Sequence, residues 1–221
     1  MIKRIEFTLK NNLIIQYFYK RVFSFIFKFI GLFIKTDPNL ILFNSFGGKK
    51  YNDSPKVIFE QLLNHPASKK LKLVWALENP DNFDIPNAIK IEINSFKYFI
   101  TALKAKYWVS SVNIERGLKF KKDNTIYLNT WHGAGTKKIG NAVSKRKDYD
   151  FSNVNYLLVQ SNFEKKIFIN DFKAKPENLL LSGFPRSDEL FKTKKEQIDI
   201  YKHNLKIPKN KKIILYAPTW R

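Results

Sequence analysis

Apolar residues fall along the chain in two rhythms. From residue 40 onward, short continuous apolar runs occupy residues 40–43, 71–76, 89–91, 107–112, 125–128, 156–159, 179–181 and 213–216. Runs without polar alternation predict strands buried on both faces, and therefore a parallel sheet. Between them, residues 55–64, 96–104 and 163–172 carry helical spacing, each behind a serine able to cap it. Ser54 precedes Pro55 at a first helical position, Ser95 precedes Phe96, and Ser161 with Glu164 forms a capping box. The pattern predicts an α/β fold, a doubly wound Rossmann-like parallel sheet.

The second rhythm is N-terminal. Residues 13–34 read LIIQYFYKRVFSFIFKFIGLFI, apolar but broken by Lys20, Arg21 and Lys28. A membrane-crossing helix needs about 20 nearly uninterrupted apolar residues, which these cations deny. On a helical projection Tyr17, Arg21, Ser24, Lys28, Gly31 and Lys35 align as a narrow basic stripe. The profile predicts an amphipathic helix lying on an anionic membrane surface, its cations reaching for lipid phosphates. A core helix with a solvated stripe is the alternative. The expected organisation is a membrane-surface helix over residues 1–37 and a Rossmann-like domain over 38–205. A linker and the opening strand of a further, incomplete domain would fill 206–221. The expected location is the cytoplasmic face of the cell membrane, held peripherally.

Charge narrows the partners. Lys and Arg number 40 against 19 Asp and Glu, a formal net charge of +21 over 221 residues. Such an excess points to a polyanion: nucleic acid, an anionic membrane, or a phosphate-rich substrate. The absence of Cys excludes a disulfide scaffold, a cysteine nucleophile and a zinc-thiolate site. With 20 Phe, 10 Tyr and 4 Trp, the chain carries too much aromatic surface for global disorder. A non-catalytic basic protein binding nucleic acid or anionic membrane is the rival class. Against nucleic acid, the lysines are dispersed and no RRM, KH or helix-turn-helix pattern occurs. Nucleic acid is not an expected partner; oligomeric state cannot be read.

In doubly wound sheets ligands bind beyond the carboxyl ends of strands, so the chemistry is sought in the loops that follow them. The first run ends in Asn44-Ser45-Phe46-Gly47-Gly48, where Gly47 and Gly48 either admit a ligand to the backbone or serve an ordinary turn. The fifth leads into Thr130-Trp131-His132-Gly133-Ala134-Gly135-Thr136-Lys137. His132 is the candidate proton acceptor, with Gly133 freeing backbone N–H groups for an anion and Lys137 adding charge. The seventh leads into Ser182-Gly183-Phe184-Pro185-Arg186-Ser187-Asp188. Arg186, one of few arginines, would meet phosphate on the loop of Gly183, oriented by Asp188. Thr219 and Arg221, after the last run, complete the substrate-binding candidates. Asp148-Tyr149-Asp150 has the spacing of a metal-binding D-x-D but sits beside Lys145, Arg146 and Lys147, which favours a salt-bridged loop. His65 and His203 have no partner at ligand spacing. No metal and no cofactor are expected.

Five ordered motifs carry a resemblance. Asn44-Ser45-Phe46-Gly47-Gly48, Lys104-Ala105-Lys106-Tyr107-Trp108-Val109, Thr130-Trp131-His132-Gly133, Gly183-Phe184-Pro185-Arg186-Ser187-Asp188 and Tyr216-Ala217-Pro218-Thr219-Trp220-Arg221 together resemble the CDP-glycerol glycerophosphotransferases of teichoic acid synthesis. That family is similar to GT-B glycosyltransferases, with an acceptor-side and a nucleotide-side domain facing across a cleft. The resemblance makes this chain the N-terminal half of a GT-B fold. It implies transfer of glycerol phosphate from CDP-glycerol to a hydroxyl of a lipid-linked polyol-phosphate acceptor, with release of CMP. It also implies that His132 is the base, and that a second functional His and most nucleotide contacts belong to a C-terminal domain. The chain by itself is therefore expected not to turn over CDP-glycerol.

Overall fold

A computed structural model of the chain describes residues 12–133, 135, 137–144, 148–208 and 210–217. It opens with helix α1 (Leu13–Phe33), whose first turn is capped by Asn12: the side-chain oxygen accepts from the amides of Ile14 and Ile15, both at 3.1 Å. Seven strands follow: β1 (Asp37–Asn44), β2 (Lys72–Leu77), β3 (Ile89–Glu92), β4 (Ala105–Ser110), β5 (Ile126–Asn129), β6 (Tyr156–Val159) and β7 (Leu179–Leu181). They form one sheet in the order β3-β2-β1-β4-β5-β6-β7, every pair parallel. Seven of the eight apolar runs are therefore strands, and the α/β reading holds.

Helix α2 (Asp53–Leu63) joins β1 to β2, α3 (Phe96–Lys104) joins β3 to β4, and α4 (Asn162–Phe172) joins β6 to β7. Ser95 accepts from the amide of Tyr98 at 3.1 Å, and Ser161 from that of Glu164 at 3.2 Å. Glu164 reaches back to the amide of Gln160, one residue beyond the usual partner in such a box. Helix α2 begins two residues before the expected Pro55; Ser54 is buried within it and does not cap it.

Alternate residues of the central strand feed two cores. Leu40 and Leu42 of β1 face a layer built with Tyr98 and Ala102 of α3 and Phe168 and Phe172 of α4; Ile41 and Phe43 face Phe59 of α2 and Trp75. Burial on both sides is why β1 reads as an unbroken apolar run. Among the described residues, α2 and the segment 83–88 cover the second face over β1 and β2. Over β4, β5 and β6, Tyr107, Ile126, Leu128 and Tyr156 border an apolar concavity of 470 Å³.

Helix α1 seats a narrow seam on this body. Phe27 is buried and stacks on Phe99 with ring centres 4.5 Å apart, Ile30 and Ile34 pack beside it, and Gly31 lets the helix approach Leu103. Lys119 donates its amide to Ser24 at 2.9 Å, and the Lys122 ammonium donates to the carbonyl of Ile34. The direction of the basic stripe differs from the expectation. Its small members, Ser24 and Gly31, are what permit close approach, so the stripe turns toward the β4–β5 connection while Phe18, Leu32 and Phe33 point outward and Phe25 edges the hollow that the stripe borders. No described helix is long and apolar enough to cross a membrane.

The compact α/β unit ends at Arg186, and residues from Ser187 onward form a second unit. Its described part holds α5 (Asp188–Lys192) and α6 (Lys195–Asn204), both inside the span 38–205 expected of the Rossmann-like domain. The strand expected over 213–216 is not formed. Those residues have no regular structure, and Ile214, Leu215 and Tyr216 are more than four-fifths exposed. A strand needs a hydrogen-bonded neighbour, and none of the described residues supplies one.

Candidate active site

The winding of the sheet reverses between β1 and β4, the position where open α/β sheets hold their ligands. Cross-strand register sets Asn44, Ser110 and Asn129 side by side at the carboxyl ends of β1, β4 and β5, all buried. The Asn44 amide donates to the carbonyl of Ala76 at 3.2 Å, and that of Asn129 to the carbonyl of Val112 at 3.1 Å. Asn129 Oδ1 also accepts from the amide of Trp131 at 2.8 Å. These buried polar groups are satisfied by loop backbone, which fixes the loops in turn.

Trp131 adopts the left-handed backbone region, with φ of 52°, an uncommon conformation for a bulky residue. Its indole is held edge-on to Phe151, Phe168 and Phe172 at 5.0–5.8 Å between ring centres. Packing of the indole offsets the backbone cost, and the reversed turn carries His132 onto the loop after β4. There Nδ1 of His132 lies 2.7 Å from the carbonyl oxygen of Ser111. A carbonyl only accepts, so Nδ1 carries the hydrogen and Nε2 of the neutral ring keeps its lone pair.

A second hold comes from Arg186. Its Nη1 donates to the carbonyl of His132 at 2.9 Å and to the carboxylate of Asp53 at 3.1 and 3.2 Å. The Asp53 side chain is almost wholly enclosed, and its own φ is 63°. The guanidinium also lies over the ring of Phe184, 4.7 Å from its centre. The carboxylate that orients Arg186 is thus Asp53, not the expected Asp188, which pairs with Lys192 at 3.8 Å. Arg186 accordingly sets the position of the His132 loop.

The remaining candidates divide. Gly47 and Gly48 have φ of 68° and 88°; a Cβ on Gly47 would lie 2.9 Å from the Arg116 guanidinium and one on Gly48 3.0 Å from the amide of Glu78. Both glycines serve close packing of the β1 loop. Gly133 and Gly183 face open space, so ligand could approach their backbone. Lys137 is exposed on the His132 loop. Thr219 and Arg221 lie outside the described residues. Asp148 and Asp150 are salt-bridged, to Lys20 at 3.9 Å and Lys119 at 2.6 Å, whereas the neighbouring basic triplet 145–147 lies outside the described residues. Burial would raise the Asp150 carboxyl, but hydrogen bonds from Lys119 and Ser152 outweigh it and bring it to about 2. His65 and His203 are exposed.

Sequence reasoning missed Asp53, Ser111, Phe46 and Lys20. Phe46, with φ of 46°, places its ring 5.5 Å from that of His132, and Lys20 borders the same cavity as His132. Lys20 was read only as a membrane-facing cation and Phe46 only as part of a motif, while Asp53 left a trace as the acidic residue at the start of a helix. The cavity measures 520 Å³ and is lined by Trp131, His132, Asn113, Lys138 and Tyr149 among others. A base with an available lone pair thus opens onto a hollow that Lys20 and Lys138 line together with Asp148 and Asp150, an arrangement suited to deprotonating a hydroxyl.

The chain matches the family described as CDP-Glycerol:Poly(glycerophosphate) glycerophosphotransferase over residues 26–221. It is 32% identical over 231 residues to the teichoic acid poly(glycerol phosphate) polymerase of Bacillus spizizenii, covering 96% of this chain and 58% of that protein. Against the protein of the same description from Staphylococcus epidermidis, identity is 34% over 200 residues, covering 83% of this chain and 27% of the other. A solved structure of the wall teichoic acid polymerase TagF aligns with all of this chain and 57% of its own, at a TM-score of 0.76 and 29% identity. The chain spans between 27% and 58% of the length of these two curated relatives.

Proposed function

We propose that this chain, which belongs to the CDP-glycerol:poly(glycerophosphate) glycerophosphotransferase family, forms the acceptor side of an enzyme that moves glycerol phosphate from CDP-glycerol to a lipid-linked polyglycerophosphate. The acceptor hydroxyl oxygen attacks the phosphorus bearing glycerol, and its proton passes to Nε2 of His132. The bond from that phosphorus to the bridging oxygen breaks, and CMP leaves with the oxygen. No metal or cofactor enters this reading; cations at the site match the donor and acceptor phosphates. The observation that carries it is the 2.7 Å contact of Nδ1 with the Ser111 carbonyl, which leaves Nε2 as the free base at the cavity. Arg186 and Asp53 position the ring through its backbone. The outward apolar side chains of α1 support peripheral attachment to the membrane, in this reading at its cytoplasmic face.

The test joins this chain to the remaining length of the Bacillus spizizenii relative and follows CMP release from CDP-glycerol in the presence of acceptor. His132→Ala is expected to lower turnover at least about 100-fold with an unchanged melting temperature. Near-normal turnover by that variant would remove His132 as base. The 221-residue chain by itself is expected to release no CMP, because its match spans 58% of that relative's length and the donor must be held in line with the acceptor.

A further inference from the structure

Three hollows meet on the side of α1 that faces the domain. The His132 cavity shares Lys20 and Gly117 with a 450 Å³ depression against α1, lined by Tyr17, Arg21, Ser24, Lys28 and Lys119. A smaller one of 210 Å³ shares Lys28, Gly117 and Lys119 with that depression. Gly117 borders all three, so they form one trough running from α1 to His132. Its φ of 88° disfavours any side chain there, which keeps the junction open.

The trough is basic and its floor is firmly built. Lys20, Arg21, Lys28 and Lys119 line it, and Lys138 stands at its His132 end. The opposing charges are Asp148 and Asp150, already engaged by Lys20 and Lys119, and Glu115, which is buried beneath the loop. Glu115 accepts from the amides of Phe120 and Lys121 and from Asn153, so its charge is consumed in shaping the floor. Neither Arg21 nor Lys28 has an ion-pair partner among the described residues. Two helical turns separate Lys20 from Lys28, about 12 Å along the axis, enough to meet successive phosphates of an extended chain.

We propose that this trough binds the phosphodiester backbone of the acceptor polymer and delivers its terminal hydroxyl to His132. The proposal rests on the transfer reading above and adds the residues that recognise the acceptor. The same cations would also attract anionic lipid headgroups; the geometry favours a polymer, because the stripe is turned inward along a groove bounded by Phe25 and Lys119 while Phe18, Leu32 and Phe33 face out.

The test uses the 221-residue chain and a fluorescent, lipid-free oligomer of glycerol phosphate, followed by anisotropy. Lys28 is exposed, so Lys28→Glu leaves the fold intact. It is expected to weaken oligomer binding at least 10-fold, with Lys28→Arg near native. The combined Lys20→Gln, Arg21→Gln, Lys28→Gln variant is expected to abolish measurable binding and to flatten the salt dependence seen with the native chain. In a parallel arm, sedimentation with phosphatidylglycerol vesicles should change less than 3-fold for Lys28→Glu. Native-like oligomer binding by the triple variant overturns the proposal, as does a loss confined to vesicles, which would assign the stripe to lipid. Oligomer binding by the trough variants and turnover by His132→Ala are read separately, so failure of the base assignment and failure of the trough give different results.

Discussion

Aromatic side chains gather in two places and meet opposite fates. Around Trp131, the rings of Phe151, Phe168 and Phe172 interlock in a buried cluster that fixes the backbone of the proposed catalytic loop. Along α1 the composition is just as aromatic, yet Phe27 is the one buried phenylalanine there, and Phe18, Phe25, Phe29 and Phe33 are all more than half exposed. The difference is one of partners. Trp131 sits where β5, α4 and the segment before β6 converge, so its ring finds neighbours on several elements. Helix α1 touches the domain along a seam spaced i, i+3, i+4, i+7 from Phe27, and a seam that narrow leaves most of the circumference unpacked. Aromatic content therefore says little about burial until the number of packing elements is known.

The contrast can be broken most severely at the buried cluster. Trp131→Ala should cost about 3–5 kcal/mol in urea unfolding, because the cavity opens among rings that cannot collapse into it. Phe27→Ala should cost about 3 kcal/mol and should make α1 sensitive to limited proteolysis while the sheet resists it. If the two variants were equally mild, the cluster would not be the structural anchor of the His132 loop.

A finer test addresses the polar floor beside the seam. Burial raises the Glu115 carboxyl, opposed by the amides of Lys121 and Phe120. A carboxyl raised in the folded state binds its proton more tightly there than in the unfolded chain. Its contribution is fully present below the unfolded value of about 4.3 and is lost as pH rises through the folded value. Glu115→Gln keeps an oxygen for both amides and has no such loss. Its stability relative to the native chain should increase from pH 4 to pH 8. A difference that stays flat across that range would mean the carboxyl is not raised.

The smallest stability effect is expected on the outer face of α1. The combined Phe18→Ser, Leu32→Ser, Phe33→Ser variant should unfold within about 0.5 kcal/mol per site of the native chain. It should nonetheless lose most of its sedimentation with anionic vesicles, and alkaline carbonate should strip the native chain from them. Undiminished vesicle binding by the variant would separate α1 from membrane attachment.

Much of the sheet was legible because each strand is a short run that must be apolar on both faces, as in Leu40, Ile41, Leu42 and Phe43. The place of His132 was legible too, in a glycine-flanked loop directly after a strand. Its supports were not. Asp53 and Arg186 are separated by 133 positions in sequence, and the Ser111 carbonyl is backbone, which leaves no residue-type signal at all. The left-handed turn at Trp131 was hidden because tryptophan does not advertise such a conformation as glycine does. Helix α6 was obscured by its lysines, although Ile198, Tyr201 and Leu205 keep helical spacing within them. The run at 213–216 has strand composition but no neighbour to pair with among the described residues, so composition alone misleads there.

Because α1 is a single uninterrupted helix, its angular phase links three things that sequence alone treats separately. Phe27 fixes the rotation of the rod, and that rotation decides which residues look into the trough and which look away. One residue added between Ser24 and Phe27 would swing everything upstream by about 100° without altering a single side chain. Lys20 and Arg21 would leave the trough, and apolar neighbours would take their place. Four residues added at the same point would nearly restore the bearing while lifting those cations about 6 Å along the axis. What the helix conserves, then, is less a composition than a dial setting, with Phe27 as the pin that stops it turning.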